Sequence, residues 1–229
     1  MILVLNLKMN LSKDNIVSYE KLIHDKEVIV LPQYPYMLFF TRGKYSLGSQ
    51  DVSKYSKGSY TGEVCAKGLK KLGAKYALVG HSERKKYFGE TIKDFRMKME
   101  NINENEMVPI YCVNQTEEEY FNDKELKGIE EQLNAIPEFT KYIIIAYEPT
   151  WMIGGDTLNI DKEHIEKVLI RIKSYLMEQN INHSIIYGGG ITEKNIDDLK
   201  KIKGNDGFII SSSALNEERL ELIYNKINS

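Results

Sequence analysis

The sequence predicts an α/β fold in which eight parallel strands, each followed by a helix, close into a (β/α)8 barrel. Short apolar runs alternate with longer amphipathic or lysine-rich stretches, and no linker or low-complexity run interrupts them. Eight strand–helix units in succession match the number that closes such a sheet. An open, doubly wound sheet is the alternative, but no Gly-x-Gly-x-x-Gly follows the first apolar run. We therefore expect residues 1–229 to form one closed barrel domain.

The predicted strands are short and mostly apolar, as strands buried on both faces are. They span Ile2–Leu7, Val28–Leu31, Tyr45–Gly48, Tyr76–Val79, Val108–Val113, Ile143–Tyr147, Ser184–Tyr187 and Gly207–Ile210. The sixth run leads into Glu148 and Pro149, and the strand should end there because proline cannot donate to a sheet ladder. The predicted helices span Lys13–His24, Tyr34–Phe40, Glu63–Leu72, Thr91–Asn103, Thr116–Asn134, Lys162–Asn180, Asn195–Ile202 and Glu217–Ile227.

Composition excludes several classes of function. Thirty-one basic and 33 acidic side chains give a net charge of −2, which argues against nucleic acid or an anionic membrane as a partner. The two cysteines, Cys65 and Cys112, are too few for a disulfide framework and show no zinc spacing, so no metal site is expected. The apolar opening, Met1 to Lys8, is too short for a secretion signal or a membrane span. We expect a cytoplasmic protein.

Chemically capable residues follow several predicted strands. Because active groups of such barrels lie on the loops after the carboxyl ends of the strands, these residues should face one rim. Lys8 follows the first strand, His81 the fourth and Glu148 the sixth, while residues 188–190 and 211–213 form two small-residue loops. A carboxylate, an imidazole and an ammonium at one rim suit proton transfer on a small anion.

Each of these groups has a functional and a structural interpretation. Glu148 is a candidate general base, and the apolar residues and glycines after it suggest a hinged lid; a helix-capping Glu before an ordinary loop is the alternative. His81 precedes a helix start, where an imidazole is favoured as a neutral donor, but it could be purely structural. Lys8 needs an anion if it is buried, or else extends to the rim.

Together the motifs resemble the triosephosphate isomerase family over the whole chain. The matching segments are Asn6-Leu7-Lys8-Met9-Asn10, Tyr60-Thr61-Gly62-Glu63, Gly80-His81-Ser82-Glu83-Arg84, Ala146 to Gly154, and Tyr187-Gly188-Gly189. The resemblance implies interconversion of dihydroxyacetone phosphate and D-glyceraldehyde 3-phosphate through an enediolate, a step of glycolysis and gluconeogenesis. It also implies a homodimer, because the loop carrying Thr61 resembles one that inserts into a neighbouring subunit.

The resemblance assigns roles to the matching residues. Glu148 would move the proton, while neutral His81, Asn6 and Lys8 would polarise the substrate oxygens; the family is itself the standard example of this pairing under a closing loop. No metal or organic cofactor is implied. The remaining residues divide into a phosphate-binding set and a supporting set. The first comprises Gly154, Gly189, Gly190, Ser211 and Ser212, and the second comprises Ser82, Glu83, Cys112, Trp151 and Tyr187.

The sequence departs from the family pattern at the lid and the phosphate-binding loops. The departures are Gly190 in place of serine, Ser211-Ser212 in place of a small pair with glycine, Gly155-Asp156 in the lid, and Gln115 in place of glutamate. They imply an active isomerase with a weaker hold on phosphate, in which serine at position 190 should raise turnover. The alternatives are a weakened or inactive homologue that binds a phosphate ligand, and another sugar-phosphate isomerase or aldolase; an aldolase would want a lysine at the end of a middle strand.

Overall fold

Eight parallel strands form a closed barrel in the computed structural model, which describes residues 1–10, 19, 21–121, 125–152 and 161–229. Each strand pairs with the next along the chain, and the last pairs with the first. The strands are β1 Ile2–Asn6, β2 Val28–Leu31, β3 Ser46–Ser49, β4 Tyr76–Val79, β5 Val108–Gln115, β6 Tyr142–Pro149, β7 Asn182–Tyr187 and β8 Gly207–Ile210. The predicted closed (β/α)8 barrel is confirmed.

Apolar side chains fill the barrel and coat its outside, as the alternation of side chains along a strand requires. The interior cluster includes Val4, Leu78, Ile144 and Ile186, all almost fully buried. A second cluster packs the outer face of the sheet against the helices, with residues such as Ile145 between them. Two buried layers therefore hold the carboxyl ends of the strands in fixed positions.

The helices lie between the strands, largely where the sequence predicts them. The α-helices are Ala66–Lys71, Ser82–Phe88, Ile92–Glu104, Glu117–Phe121, Glu125–Leu133, Lys162–Glu178, Ile196–Leu199 and Glu217–Asn228, and 3₁₀ helices span Tyr34–Phe40, Thr150–Met152 and Ser212–Leu215. Thr91 and Asp94 form a reciprocal capping box at the start of Ile92–Glu104. In the described part of the chain, no helix is both long and apolar enough to cross a bilayer.

Several strands differ by one or two residues from the predicted spans. Strand β6 ends at Pro149, as its proline predicts, but it is longer than the apolar run Ile143–Tyr147. It begins at Tyr142, and its pairing with β5 extends to Gln115 opposite Pro149. The Gln115 carbonyl there accepts a hydrogen bond from the Thr150 hydroxyl at 3.0 Å, so the end of the ladder needs no donor from Pro149.

Other differences concern the helices. The segment predicted as helix over Asn195–Ile202 contains a single turn, and Tyr34–Phe40 is a 3₁₀ helix with proline near its start. The predicted Thr116–Asn134 helix contains two described helices, with residues 122–124 outside the described part. Most of the predicted Lys13–His24 helix also lies outside the described residues.

The closure of the barrel gives a testable prediction at Gly207. A Cβ atom at this position would lie 2.0 Å from the Ile2 carbonyl oxygen on β1, which is backbone and cannot move aside cheaply. Gly207→Ala should therefore lower the free energy of unfolding by about 1–3 kcal/mol or more in urea titrations. Gly68→Ala is the matched control: its Cβ would meet only Cys65 Sγ at 3.6 Å, so helix propensity should stabilise it slightly. Equal effects at both sites would contradict this interpretation of the seam.

Candidate active site

A cavity of about 260 Å³ lies at the carboxyl ends of the strands. It brings together residues that follow β1, β4, β7 and β8 with Glu148 near the end of β6. Its lining comprises Lys8, His81, Glu148, Gly188, Gly189, Gly190, Ile191, Thr192, Ile209, Ile210, Ser211, Ser212, Ser213 and Arg219. The three titratable groups singled out in the sequence thus share one cavity.

Lys8 is held in a strained backbone conformation. Its φ of +46° lies in the left-handed region, which a residue with a side chain adopts only when its surroundings impose it. Its carbonyl accepts a hydrogen bond from Gln50 Nε2 at 2.8 Å, and its N–H donates to Asn6 Oδ1 at 3.3 Å. The ammonium lies 2.7 Å from Glu83 Oε1. Lys8 is therefore paired with an anion and does not simply extend to solvent.

Asn6 lies beside this cavity and does not line it. It is buried at the end of β1 and lines an adjoining cleft of about 550 Å³, which Lys8 and His81 also line. Asn6 is therefore next to the cavity but is not part of its lining.

His81 caps the helix Ser82–Phe88, which the sequence predicts to begin here. Its Nδ1 accepts a hydrogen bond from the Glu83 N–H at 3.3 Å, so the proton of a neutral ring lies on Nε2. Nε2 is 3.9 Å from Glu148 Oε1. The structural and functional interpretations of His81 are thus compatible, because one ring nitrogen caps the helix and the other faces the cavity.

Glu148 is a buried carboxylate with an unused oxygen. Its Oε2 makes no hydrogen bond to any described residue. Gly188 packs directly against it, since a Cβ there would lie 3.0 Å from Glu148 Cγ. Cys112 contacts it from the neighbouring strand, and burial raises the pKa of that thiol well above its usual value, with Glu148 raising it further. A buried acceptor that keeps a free lone pair is suited to take a proton.

Gln115 occupies the position where the family pattern has glutamate. Its side chain is fully buried, and Oε1 accepts a hydrogen bond from the Tyr147 hydroxyl at 2.5 Å. The same oxygen lies 2.9 Å from His164 Nε2 on the helix Lys162–Glu178. Gln115 therefore joins β5, β6 and that helix, and no sequence motif indicates His164 as its partner.

Trp151 lies beside this cluster. Its ring is 5.2 Å from that of Tyr120, whose hydroxyl donates to Asp161 at 2.8 Å. Residues 152 and 161 border the segment expected to form the lid. Gly154, Gly155 and Asp156 of that segment lie outside the described residues.

The two small-residue loops lie at the other end of the cavity. Ser213 Oγ donates to the Ile191 carbonyl at 2.7 Å and ties them together. A Cβ at Gly189 would approach the Tyr187 hydroxyl to 2.7 Å. Gly190 has a φ of +52°, where a serine would be strained by roughly 1–2 kcal/mol. The expectation that serine at position 190 would raise turnover stays a prediction, and this backbone strain would act against it.

Arg219 is a cavity residue that the sequence reasoning missed. It lies in the first turn of Glu217–Asn228, the helix that follows the loop after β8. Its position in the sequence could have indicated this role, because residues just after the last strand lie near the rim that carries the site. The predicted Thr61 is exposed on the third loop and does not line the cavity. Ser82 is not part of the cavity lining either; it lines a separate cleft together with Trp151.

The family model of triosephosphate isomerase matches residues 1–227. The chain belongs to the triosephosphate isomerase family. Curated triosephosphate isomerases are among its relatives: that of Ureaplasma parvum is 35% identical, with 98% of this chain and 97% of the relative covered. That of Buchnera aphidicola is 33% identical, with 87% and 84% covered. The crystal structure of triosephosphate isomerase from Bartonella henselae has the same fold, with a TM-score of 0.88, 22% identity, and 100% and 98% coverage.

Lys85 is a partly buried cation behind the candidate site of this family member. Its ammonium donates to Gln132 Oε1 at 2.7 Å, and the same amide oxygen accepts from the Asn114 N–H at 3.0 Å. Burial lowers the pKa of Lys85 to about 8, against smaller opposing effects of Cys112 and Glu148. In the unfolded chain the pKa would be near its ordinary value of about 10.4.

This difference predicts a pH dependence of stability. Between pH 8 and about 10.4 the unfolded chain binds more protons at Lys85, so folding becomes more favourable as pH rises. The unfolding free energy of the wild type minus that of Lys85→Met should rise by up to about 1.4 kcal/mol per pH unit across this window. Below pH 7 this difference in unfolding free energy should not change with pH. Exposed Lys86→Met is the control and should follow the wild type; a flat difference for Lys85→Met would refute the assignment.

Proposed function

We propose that this chain, an isomerase by its family, interconverts dihydroxyacetone phosphate and D-glyceraldehyde 3-phosphate through an enediolate. One observation carries the proposal: the buried Glu148 carboxylate and the Nε2 of His81 lie 3.9 Å apart on the cavity that Lys8 also lines. The separation brings a base and a hydrogen-bond donor to one end of a small substrate. The cavity, of about 260 Å³, suits a ligand of triose phosphate size.

The proposed chemistry moves one proton between adjacent carbons. Glu148 takes the proton from the carbon next to the carbonyl, the C–H electron pair becomes the carbon–carbon double bond, and the carbonyl oxygen gains the negative charge. His81 donates a hydrogen bond from Nε2, and Lys8, with Asn6 from the adjoining cleft, helps to stabilise that oxygen. A proton then moves from the hydroxyl on the first carbon to the oxygen that gained the charge. Glu148 returns its proton to the neighbouring carbon, and the carbonyl forms on the first carbon. Acid–base positioning of this kind contributes about 10²–10⁴-fold.

The phosphate group would bind at the opposite end of the cavity. We assign it to Gly189, Gly190, Ser211 and Ser212, with Gly154 from the lid. Binding energy at this remote group would drive closure of the lid and exclude water from Glu148. Ser82, Glu83, Cys112, Trp151 and Tyr187 would support these residues without reacting.

The test is isomerisation of glyceraldehyde 3-phosphate by the purified chain and by Glu148→Gln. The wild type should turn over the substrate, and the variant, which keeps the shape but loses the base, should lose about 10²–10⁴-fold or more in kcat. Exposed Glu104→Gln is the control and should retain full activity. An inactive but folded wild type that still binds inorganic phosphate would favour the phosphate-ligand-binding alternative. Equal rates for the wild type and Glu148→Gln would remove Glu148 as the base.

We further propose that the chain is a cytoplasmic homodimer that assembles through the third loop. The loop supports this assignment because Ser56 to Glu63 is exposed, and Tyr55 and Tyr60 stack at 3.8 Å to stiffen it. A partner could receive it in the cleft beside Lys8, where Met9 is 87% exposed and Phe88 64% exposed. Both cysteines are free thiols, which suits a reducing compartment.

Light scattering at micromolar concentration should give twice the chain mass of 26.5 kDa. Thr61→Arg adds a large charged side chain to the loop tip and should shift the protein towards monomer, because burying an unpaired charge is costly. Thr41→Arg, at an exposed position elsewhere, should leave the mass unchanged. A wild type that is monomeric under these conditions would overturn the dimer proposal.

A further inference from the structure

We propose that Arg219 is a second substrate-binding cation, which binds the phosphate group of the substrate; this inference rests on the proposed function. Arg219 lines the same cavity as Lys8, Glu148 and the loops after β7 and β8. Those loops form the end of the cavity assigned above to phosphate. Arg219 would therefore determine specificity for a phosphorylated substrate without taking part in the proton transfer.

The position of Arg219 is unfavourable for its own helix. It is the third residue of Glu217–Asn228, and its N–H donates to the capping side chain of Asn216 at 3.0 Å. The amino end of a helix carries partial positive charge, so Glu217 and Glu218 are favourable there and an arginine is not. Helix formation therefore does not explain a cation at this position. Its place on the cavity does.

The neighbouring carboxylate satisfies Arg219 only in part. Its Nε lies 3.7 Å from Glu193 Oε2, too far for a hydrogen bond, and that oxygen has no other hydrogen-bond partner among the described residues. No other ion pair of the Arg219 side chain is seen in the described part of the chain. The side chain is 49% exposed. Its terminal amino groups can therefore reach an incoming anion.

The chemistry of a guanidinium fits this role. Its planar set of donors matches two phosphate oxygens at once, and hydrogen bonds between charged groups are stronger than neutral ones. The other cation of the cavity, Lys8, is paired with Glu83 at 2.7 Å and is assigned to the substrate oxygens. Gly190 has no hydroxyl to donate to the phosphate. Arg219 would supply hydrogen-bond donors at that end of the cavity instead. The chain would thus compensate for the hydroxyl missing from its sequence.

The experiment compares two substrates that differ only in phosphate. We would measure kcat/KM for glyceraldehyde 3-phosphate and for glyceraldehyde itself, in the wild type and in Arg219→Gln. The ratio of the two values should fall roughly tenfold to a hundredfold in the variant, because a hydrogen-bonded charge pair to phosphate is lost. The inhibition constant of inorganic phosphate should rise with it. Arg219→Lys keeps the charge but loses the paired donors and should be intermediate.

Two further variants separate binding from general effects. Arg171→Gln makes the same change of charge on the far helix Lys162–Glu178, where Arg171 pairs with Glu130, and should leave the ratio unchanged. Glu193→Gln removes the carboxylate but keeps Arg219. If Arg219 serves phosphate, Glu193→Gln should not lower the ratio. If Glu193→Gln reproduces the effect of Arg219→Gln, the arginine is a structural ion-pair partner and the proposal is wrong.

The remaining outcomes also decide the question. An unchanged ratio and an unchanged phosphate inhibition constant in folded Arg219→Gln would overturn the role of Arg219 while leaving the isomerase assignment intact. If the wild type shows no isomerisation, the proposed function fails on its own. Calorimetric titration of inorganic phosphate into the wild type and Arg219→Gln would then still test the cation: weaker binding by the variant supports it, and equal binding refutes it.

Discussion

The hydrogen-bonded seam between β1 and β8 is the constraint on which the candidate site depends. It joins Leu5 to Ile210 in register, and so brings the residues after each strand to the same rim. Lys8 and Ser211 therefore line one cavity although they lie near opposite ends of the chain. Gly207 allows this closure, because any side chain there would collide with the backbone of β1. The cavity exists only when the last strand has docked.

On this rigid rim the site keeps features that a stability-driven sequence would avoid. Lys8 adopts a left-handed conformation, Glu148 is a buried carboxylate with an unpartnered oxygen, and Lys85 is a partly buried cation behind them. Each feature opposes folding by a small amount, and together they cluster beside one cavity. The two apolar layers of the barrel hold them in place. Such conflicts between local preference and overall fold are typical of functional sites.

The order of strands and the main chemical groups could be predicted because both depend on local pattern. Buried parallel strands read as apolar runs, and Glu148, His81 and Lys8 follow such runs directly. The features that could not be predicted from the sequence depend on contacts between distant segments. The extension of β6 to Pro149 follows from the length of its partner strand. The pairing of Gln115 with His164 crosses 49 positions of the chain.

The same limit explains the phosphate end of the cavity. Compared with the family pattern, the two loops, residues 188–190 and 211–213, have fewer side chains that could bind phosphate. Gly190 lacks a hydroxyl, and neither loop contains a cation. A serine at position 190 would be strained at φ +52°, and the fold places Arg219 on the same cavity from the next helix. A hydroxyl on the loop and a guanidinium from outside it are different solutions to one electrostatic problem, the binding of a dianion. A residue-by-residue comparison of motifs detects the missing hydroxyl. It does not detect the guanidinium, because Arg219 lies outside the motif.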